Sequence, residues 1–296
     1  MYYIIFNPTA AAGRSAKTLE RVEQCLKEKN EEYTVDHTEY PGHAKEMAAA
    51  AVGKGYNGIL SVGGDGTLLE VAEALRGTDE VLGVIPAGTG NDFRQSIDVP
   101  KETGQAVDIV LNGFHRSVDI GLIDEEKCFL NVAGTGFDVD VIKNTNRVRR
   151  FVTGSLAYYL GIVFSIIGYK NTTINVKMNG ETLRRTVLLV AVANGKCYGG
   201  GLQIGPNASV TDGLFNVVII NRLPKWRILL ELPKLQRGDL DEIPFLEQYV
   251  CSEITIDCTK PHRLNMDGDI YGQTPTTLRV AGSALNVFCP QPPDKA

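Results

Sequence analysis

The sequence predicts an α/β protein of two domains. The N-terminal one is a three-layer α/β domain around a mostly parallel sheet; the C-terminal one is a mainly antiparallel, β-sandwich-like domain. Three observations predict this. The chain has 296 residues, about two domains at roughly 150 residues each. Up to residue 120, short apolar runs alternate with stretches of helical periodicity, the rhythm of a parallel sheet covered on both faces. Beyond 120, strand-like runs follow one another with only two long helical interruptions. We place the domains at 1–123 and 124–285, with 286–296 returning to the first.

Each element has its own reason. Tyr2 to Phe6 is a short apolar run stopped by Asn7-Pro8. Ser15 to Lys29 carries Leu19, Val22 and Leu26 at helical spacing. Tyr33 to Thr38 reads as a strand and the Ala-rich Ala44 to Gly53 as a helix. Gly58 to Val62 is a buried strand, and Leu68, Leu69, Ala72 and Leu75 line one side of the helix that follows. Val81 to Ile85 is a further strand. In the second half, Cys128–Ala133, Thr172–Met178, Thr186–Ala193, Leu214–Ile220, Glu253–Asp257, Thr277–Val280 and Ala284–Phe288 read as strands. Asn179-Gly180 is a hairpin signal between two of them. The helical stretches are 151–169 and 224–238, and the tail from Gln291 on is expected to be loose.

Composition narrows the function. Hydrophobic residues make up 43% and charged residues 22%, a balance that folds rather than one that stays disordered. Lys plus Arg total 30 against 35 Asp plus Glu, a net charge of -5, so no nucleic-acid partner is expected. The six Cys form no C-x-x-C pair, which argues against a zinc site and for idle thiols in a reducing compartment. The four His show no metal-like spacing. The N-terminus lacks the pattern of a secretory signal, and a cytoplasmic location is expected.

Phe151 to Tyr169 carries no charge. Leu156, Tyr159, Leu160, Val163, Ile166 and Ile167 share one helix face, and Arg147, Arg149 and Arg150 precede them. A core helix, a helix that lines an apolar cleft or touches a membrane, and a spanning helix are three readings. The first is preferred, and no transmembrane span is expected. The three Arg either meet anionic headgroups or form a solvated face. Trp226 is read as a packing residue at a helix start, with an interfacial aromatic as the alternative.

The chemistry gathers in loops after strands. Gly63-Gly64-Asp65-Gly66-Thr67 follows an apolar strand and opens a helix. Adjacent glycines let backbone approach a polyphosphate, and the helix start offers free N–H groups to an anion. Asp65 would repel phosphate, so it calls for a divalent cation or a substrate hydroxyl to orient. Gly88-Thr89-Gly90-Asn91-Asp92-Phe93 after the Val81 strand and Asn7-Pro8-Thr9-Ala10-Ala11-Ala12-Gly13 after the first strand have the same character. Three such loops at strand ends of one sheet mark a ligand site.

These loops resemble those of the diacylglycerol kinase catalytic family, and the chain is most similar to its compact bacterial lipid-kinase branch. The likeness extends through Val118-Asp119-Ile120-Gly121, Gly134-Thr135-Gly136-Phe137-Asp138, Asn194-Gly195, Gly199-Gly200-Gly201, Thr211-Asp212-Gly213-Leu214 and Asn265-Met266-Asp267-Gly268-Asp269. The resemblance implies an ATP site in a cleft between two domains. Its contacts would be Asn7, Pro8, Thr9, Ala10 and Ala11, then Thr38, then Gly64, Asp65, Gly66, Thr67, Leu68, Leu69 and Glu70, and finally Thr89. The first loop departs from the family's Ser-Gly ending, having three Ala before Gly13. The resemblance places the proton acceptor in the Asn265–Asp269 segment, where Asp267 matches the more uniform Asp of the pattern; we take Asp269, where the family often has Glu, as the acceptor, with Asp267 close behind. It also implies a structural Mg2+ held by Asp212 and the carbonyls of Ser209 and Leu214, and a second Mg2+ travelling with ATP near Asp65.

The expected activity is transfer of the ATP γ-phosphate to a hydroxyl of diacylglycerol or a related lipid. The partner is then a lipid at a membrane surface, reached by peripheral and reversible association, and a homodimer stays open. The rivals are a kinase of a soluble acceptor such as NAD and a lipid- or nucleotide-binding protein without catalysis. Asp65, Asp92, Asp212, Asp267 and Asp269 are all present, which favours an enzyme.

Overall fold

A fully buried apolar run, Tyr2–Phe6, forms strand β1 and sets the first sheet. In this computed structural model residues 1–148, 152 and 155–292 are described; of residues 155 and 157–159 only the backbone is. Arg149, Arg150, Phe151 and the tail 293–296 thus lie outside the described residues, as does the Tyr159 side chain. Two units emerge: Met1–Ile120 with Val210–Gly213 and the stretch from Ala281 on, and Gly121–Ser209 with Leu214–Val280.

In the first unit β1 pairs in parallel with β2 (Tyr33–His37) and β3 (Gly58–Gly63), and β3 with β4 (Val81–Pro86). The end of the last strand joins β4 in parallel, Asn286 opposite Val81. The helices α1 (Ala16–Glu28), α2 (His43–Ala51), α3 (Asp65–Leu75), α4 (Phe93–Ser96) and α5 (Thr103–Leu111) connect these strands. All four parallel strands therefore deliver their C-terminal loops to one edge of the sheet, which is where an α/β sheet binds ligands. Strand β5 (His115–Ile123) leads out of this unit.

The second unit is antiparallel throughout its described pairings. It contains β6 (Lys127–Phe129), β7 (Val132–Gly136), α6 (Phe137–Val148), α7 (Ser155–Gly168), β8 (Thr172–Met178), β9 (Glu181–Ala193), β10 (Phe215–Asn221), α8 (Lys225–Arg237), β11 (Leu246–Cys251), β12 (Glu253–Cys258), β13 (Arg263–Met266), β14 (Asp269–Gln273) and the start of β15 (Thr276–Phe288). The strand order is β14-β13-β7-β9-β8-β12-β15, and β10 branches from β9 to carry β11. The first half of β9 pairs with β8; the second, fully buried half lies between β7 and β10. This branching makes the unit sandwich-like, and the unbroken apolar run Val187–Ala193 is what permits burial on both faces. Asn179 and Gly180, at φ 51° and 78°, form the two-residue turn their sequence predicts.

Helix α7 corrects one expectation. Its predicted inner face is largely outside: Leu156, Val163 and Ile167 are 56%, 43% and 72% exposed. Gly161, Ile162 and Ser165 point inward instead, with Ile166 partly buried. Helix α6 approaches so closely that a Cβ at Gly161 would meet Thr145 Oγ1 at 2.1 Å. A helix apolar all round carries no information on which stripe is buried; the small residues decide it. Trp226 stands at the start of α8 as expected, but it is 61% exposed rather than packed. No helix among the described residues is long and apolar enough to cross a membrane. All six Cys are buried free thiols.

Candidate active site

Three loops of the first unit are tied to one another before any ligand arrives. Asn7, just past β1, accepts from the Thr9 N–H at 2.9 Å and the Thr9 hydroxyl at 2.8 Å, and its own amide donates to Thr67 Oγ1 at 2.8 Å. The first loop is thereby fixed to helix α3. Asp65 opens α3, and its two carboxylate oxygens accept the N–H groups of Asn91 and Asp92, both at 2.7 Å. Asn91, at φ 55°, closes the loop on itself by exchanging hydrogen bonds with Gly88 N–H and C=O.

Glycine is required where these loops meet. A Cβ on Gly88 would sit 2.4 Å from Gly64 Cα, and one on Gly90 would sit 2.6 Å from Asp65 Oδ2. The helix start leaves the N–H groups of Asp65, Gly66 and Thr67 without a helical acceptor. A Cβ on Gly66 would meet nothing within 4 Å, so that position faces open space. Ala11 and Ala12, at φ 48° and 58°, precede Gly13 at 84°. Two successive left-handed alanines are a costly conformation, of the kind found where a loop is shaped for a ligand.

Not every predicted contact presents its side chain here. Leu68 and Leu69 are buried among core residues, so only their backbone could serve. Glu70 caps α2, accepting from Gly42 N–H at 2.8 Å and Ala44 N–H at 3.2 Å. Thr38 lies half-buried just past β2, its N–H donating to Phe6 C=O, and Thr89 is exposed at the loop tip.

In the second unit the two acidic candidates have different surroundings. Asp267 and Gly268, at φ 47° and 96°, form the tight turn between β13 and β14. The Asp267 carboxylate accepts three backbone N–H groups, from Leu130 at 2.6 Å, Asn131 at 2.9 Å and Val132 at 2.8 Å. Asp269 is exposed, and its carboxylate makes no hydrogen bond or ion pair with any described residue. Asp267 clamps the hairpin, and Asp269 is presented by it. Behind the turn, Asn265 donates to Asp138 Oδ2 at 3.0 Å and accepts from Gly268 N–H at 3.0 Å. Burial pushes the Asp138 carboxyl up to about 6, against the hydrogen bond from Asn265.

Sequence reasoning missed Asp119 as a device. Its N–H donates to Val210 C=O at 2.7 Å, while its carboxylate accepts from Gly213 and Ser283 N–H, both at 2.8 Å. One residue thus pins three chain segments of the first unit around Asp212, which is exposed. The signal was present: a lone acid, Val118-Asp119-Ile120, inside an apolar run. Ser209 and Leu214 flank this stretch in the second unit. No three His, Cys, Asp or Glu among the described residues are grouped to hold a metal.

Comparison with known proteins adds the following. Residues 1–123 match the family model "Diacylglycerol kinase catalytic domain", and residues 131–289 match "YegS C-terminal NAD kinase beta sandwich-like domain". The chain is 30% identical over 295 residues to a diacylglycerol kinase of Mycobacterium tuberculosis (strain H37Rv), covering 96% of this chain and 94% of that one. It is 28% identical over 275 residues to a diacylglycerol kinase of Bacillus subtilis (strain 168), covering 92% and 90%. In structure it is similar to a diacylglycerol kinase of Bacillus anthracis str. Sterne, with a TM-score of 0.75, 20% identity, and 98% and 96% of the two chains covered. That last likeness speaks to the fold.

Proposed function

Since the chain belongs to the diacylglycerol kinase family and is a phosphotransferase with an alcohol acceptor, we propose that it phosphorylates a lipid hydroxyl from ATP with Asp269 as proton acceptor. The observation that carries the reading is the contrast within one hairpin. The three N–H bonds to Asp267 occupy its oxygens, so it has little left to offer a substrate hydroxyl and serves as a clamp. Asp269, one residue past the turn, keeps its lone pairs for a substrate hydroxyl.

ATP takes the loops of the first unit. The N–H groups at the start of α3 meet phosphate oxygens, and the Gly64–Gly88 contact leaves the backbone bare enough for close approach. Asp65 acts by holding the Asn91–Asp92 N–H groups, so that two loops move as one. An Mg2+ ion neutralises phosphate charge when bound. The Asp212 carboxylate suits a second such hard cation, in a loop already ordered by Asp119.

The acceptor side points to a membrane surface. Val163, Phe164 and Ile167 of α7 and Trp226, Leu229 and Leu230 of α8 are exposed apolar residues. The two helices are joined by Lys225, whose ammonium donates to Ile167 C=O at 2.8 Å. Lys225 and Arg227 lie beside this apolar surface in sequence, the combination that favours anionic lipid.

The test is transfer of labelled phosphate from ATP to total extracted lipids, run beside Asp269→Asn. A labelled lipid made by wild type and lost in the variant is expected. Label appearing only on NAD or another soluble acceptor refutes the lipid reading. For the surface, Ile167→Asp and Trp226→Ala should reduce co-sedimentation with anionic vesicles several-fold; unchanged pelleting removes α7 and α8 from the contact.

A further inference from the structure

A second polar site lies within the second unit, away from the Asp267 turn at the other end of β13. Gly136 and α6 form one wall, the chain leaving α7 another, and the residues entering β13 the third. The cleft has a volume of about 240 Å³. About 10–15 Å³ of such space holds one water, so the cleft has room for a polyatomic group.

Its lining is basic in an acidic protein. Lys143, Lys170 and Arg263 face the cleft against one carboxylate, Asp140, whose Oδ1 lies 4.0 Å from Lys143 Nζ. The Lys170 ammonium and the Arg263 guanidinium make no ion pair or hydrogen bond with any described residue. Two cations without protein partners in a concave site leave their donors for a ligand. Neutral donors complete the set. The His262 ring is 3.1 Å from Thr172 Oγ1, and its backbone is held on both sides by Thr274. Burial keeps the imidazole below its ordinary range, so at neutral pH it is a hydrogen-bonding group and not a further cation. The Tyr169 hydroxyl is spent on the Val187 and Leu188 carbonyls, so the residue serves as a rigid wall.

We infer that this cleft binds a phosphoryl group, held by Lys143, Lys170 and Arg263 with His262 and Thr172. The planar guanidinium suits two phosphate oxygens at once, and the lysines add point charges. The group could come from an anionic lipid headgroup or from free phosphate. The inference stands whether or not the acceptor of the reaction is a lipid.

The experiment follows the His262 ring by NMR in the full chain during titration with inorganic phosphate and with a short-chain soluble phosphatidate. Vesicles of equal parts phosphatidylglycerol and phosphatidylcholine form a third arm, read by co-sedimentation. The variants are Lys170→Ala/Arg263→Ala and the milder Lys170→Gln. A saturable shift of the ring is expected with at least one soluble probe. It should weaken about tenfold for each cation removed, by loss of a charge-assisted hydrogen bond. Tighter binding of phosphatidate than of phosphate, with vesicle binding that falls in the double variant, identifies a headgroup site. Equal binding of the two probes, with vesicle binding unaltered, identifies a free-phosphate site. No saturable shift with either probe, or equal affinity in wild type and double variant, overturns the inference.

Discussion

Asp267→Asn keeps the shape of the side chain but removes its charge and turns one acceptor oxygen into a donor. In the native turn one oxygen accepts from Leu130 N–H at 2.6 Å and the other from Asn131 and Val132 N–H at 2.9 and 2.8 Å. The asparagine oxygen can keep only one side of this arrangement. If it keeps the pair, its NH2 group faces the N–H of Leu130, which is 1% exposed and has no water to turn to. The loss is one charge-assisted bond, about 1.5–3 kcal/mol, plus a weakening of the two that remain, for a total of about 3–4 kcal/mol. In a unit of this size 1 kcal/mol moves the melting point by about 2–4 °C, so Asp267→Asn should melt roughly 10 °C lower. Turnover should fall with it, because the hairpin that presents Asp269 loses its clamp. Asp269→Asn, exposed and unbonded, should melt within about 1 °C of wild type yet lose about 100-fold or more in turnover. Thermal scans and lipid-phosphorylation rates on the same preparations separate the two. A wild-type melting point for Asp267→Asn refutes the clamp, and near-normal turnover in Asp269→Asn refutes the base.

Further outcomes follow from the same geometry. Ala12→Gly should stabilise the protein by about 1 kcal/mol, since φ 58° costs Ala but not Gly, as a denaturant midpoint would record. Gly88→Ala forces backbone apart at Gly64 and should cost about 1–3 kcal/mol while raising KM for ATP more than it lowers kcat. Asp138 holds its proton up to about 6 in the folded protein against 3.8 normally, so the native state binds more protons than the unfolded one between those values. Its contribution to stability therefore falls as pH rises from about 4 to about 6 and is level above. At full size this is about 3 kcal/mol, and Asp138→Asn should remove that slope from a pH series of unfolding curves. An unchanged slope in Asp138→Asn would assign it to other groups.

Much of the glycine-rich loop geometry of the first unit was legible because it is local. A glycine run between an apolar strand and a helix specifies a turn with bare backbone and free N–H groups, whatever surrounds it. The Asn179-Gly180 turn was readable for the same reason: the residues themselves tolerate positive φ. The roles of Glu70 and Asp119 were not, since each depends on backbone N–H groups 26 to 164 positions away.

The sequence by itself determined the α/β-then-β order and which loops are rich in glycine and small polar residues. Apolar rhythm and turn chemistry act within a few residues, so one dimension suffices for them. Only the tertiary structure decided which acid is clamped and which is presented, and which face of α7 turns outward. Those outcomes depend on where distant backbone donors fall and on how closely α6 packs against Gly161. The faces of an all-apolar helix, and two aspartates two residues apart, look alike until the neighbours are in place.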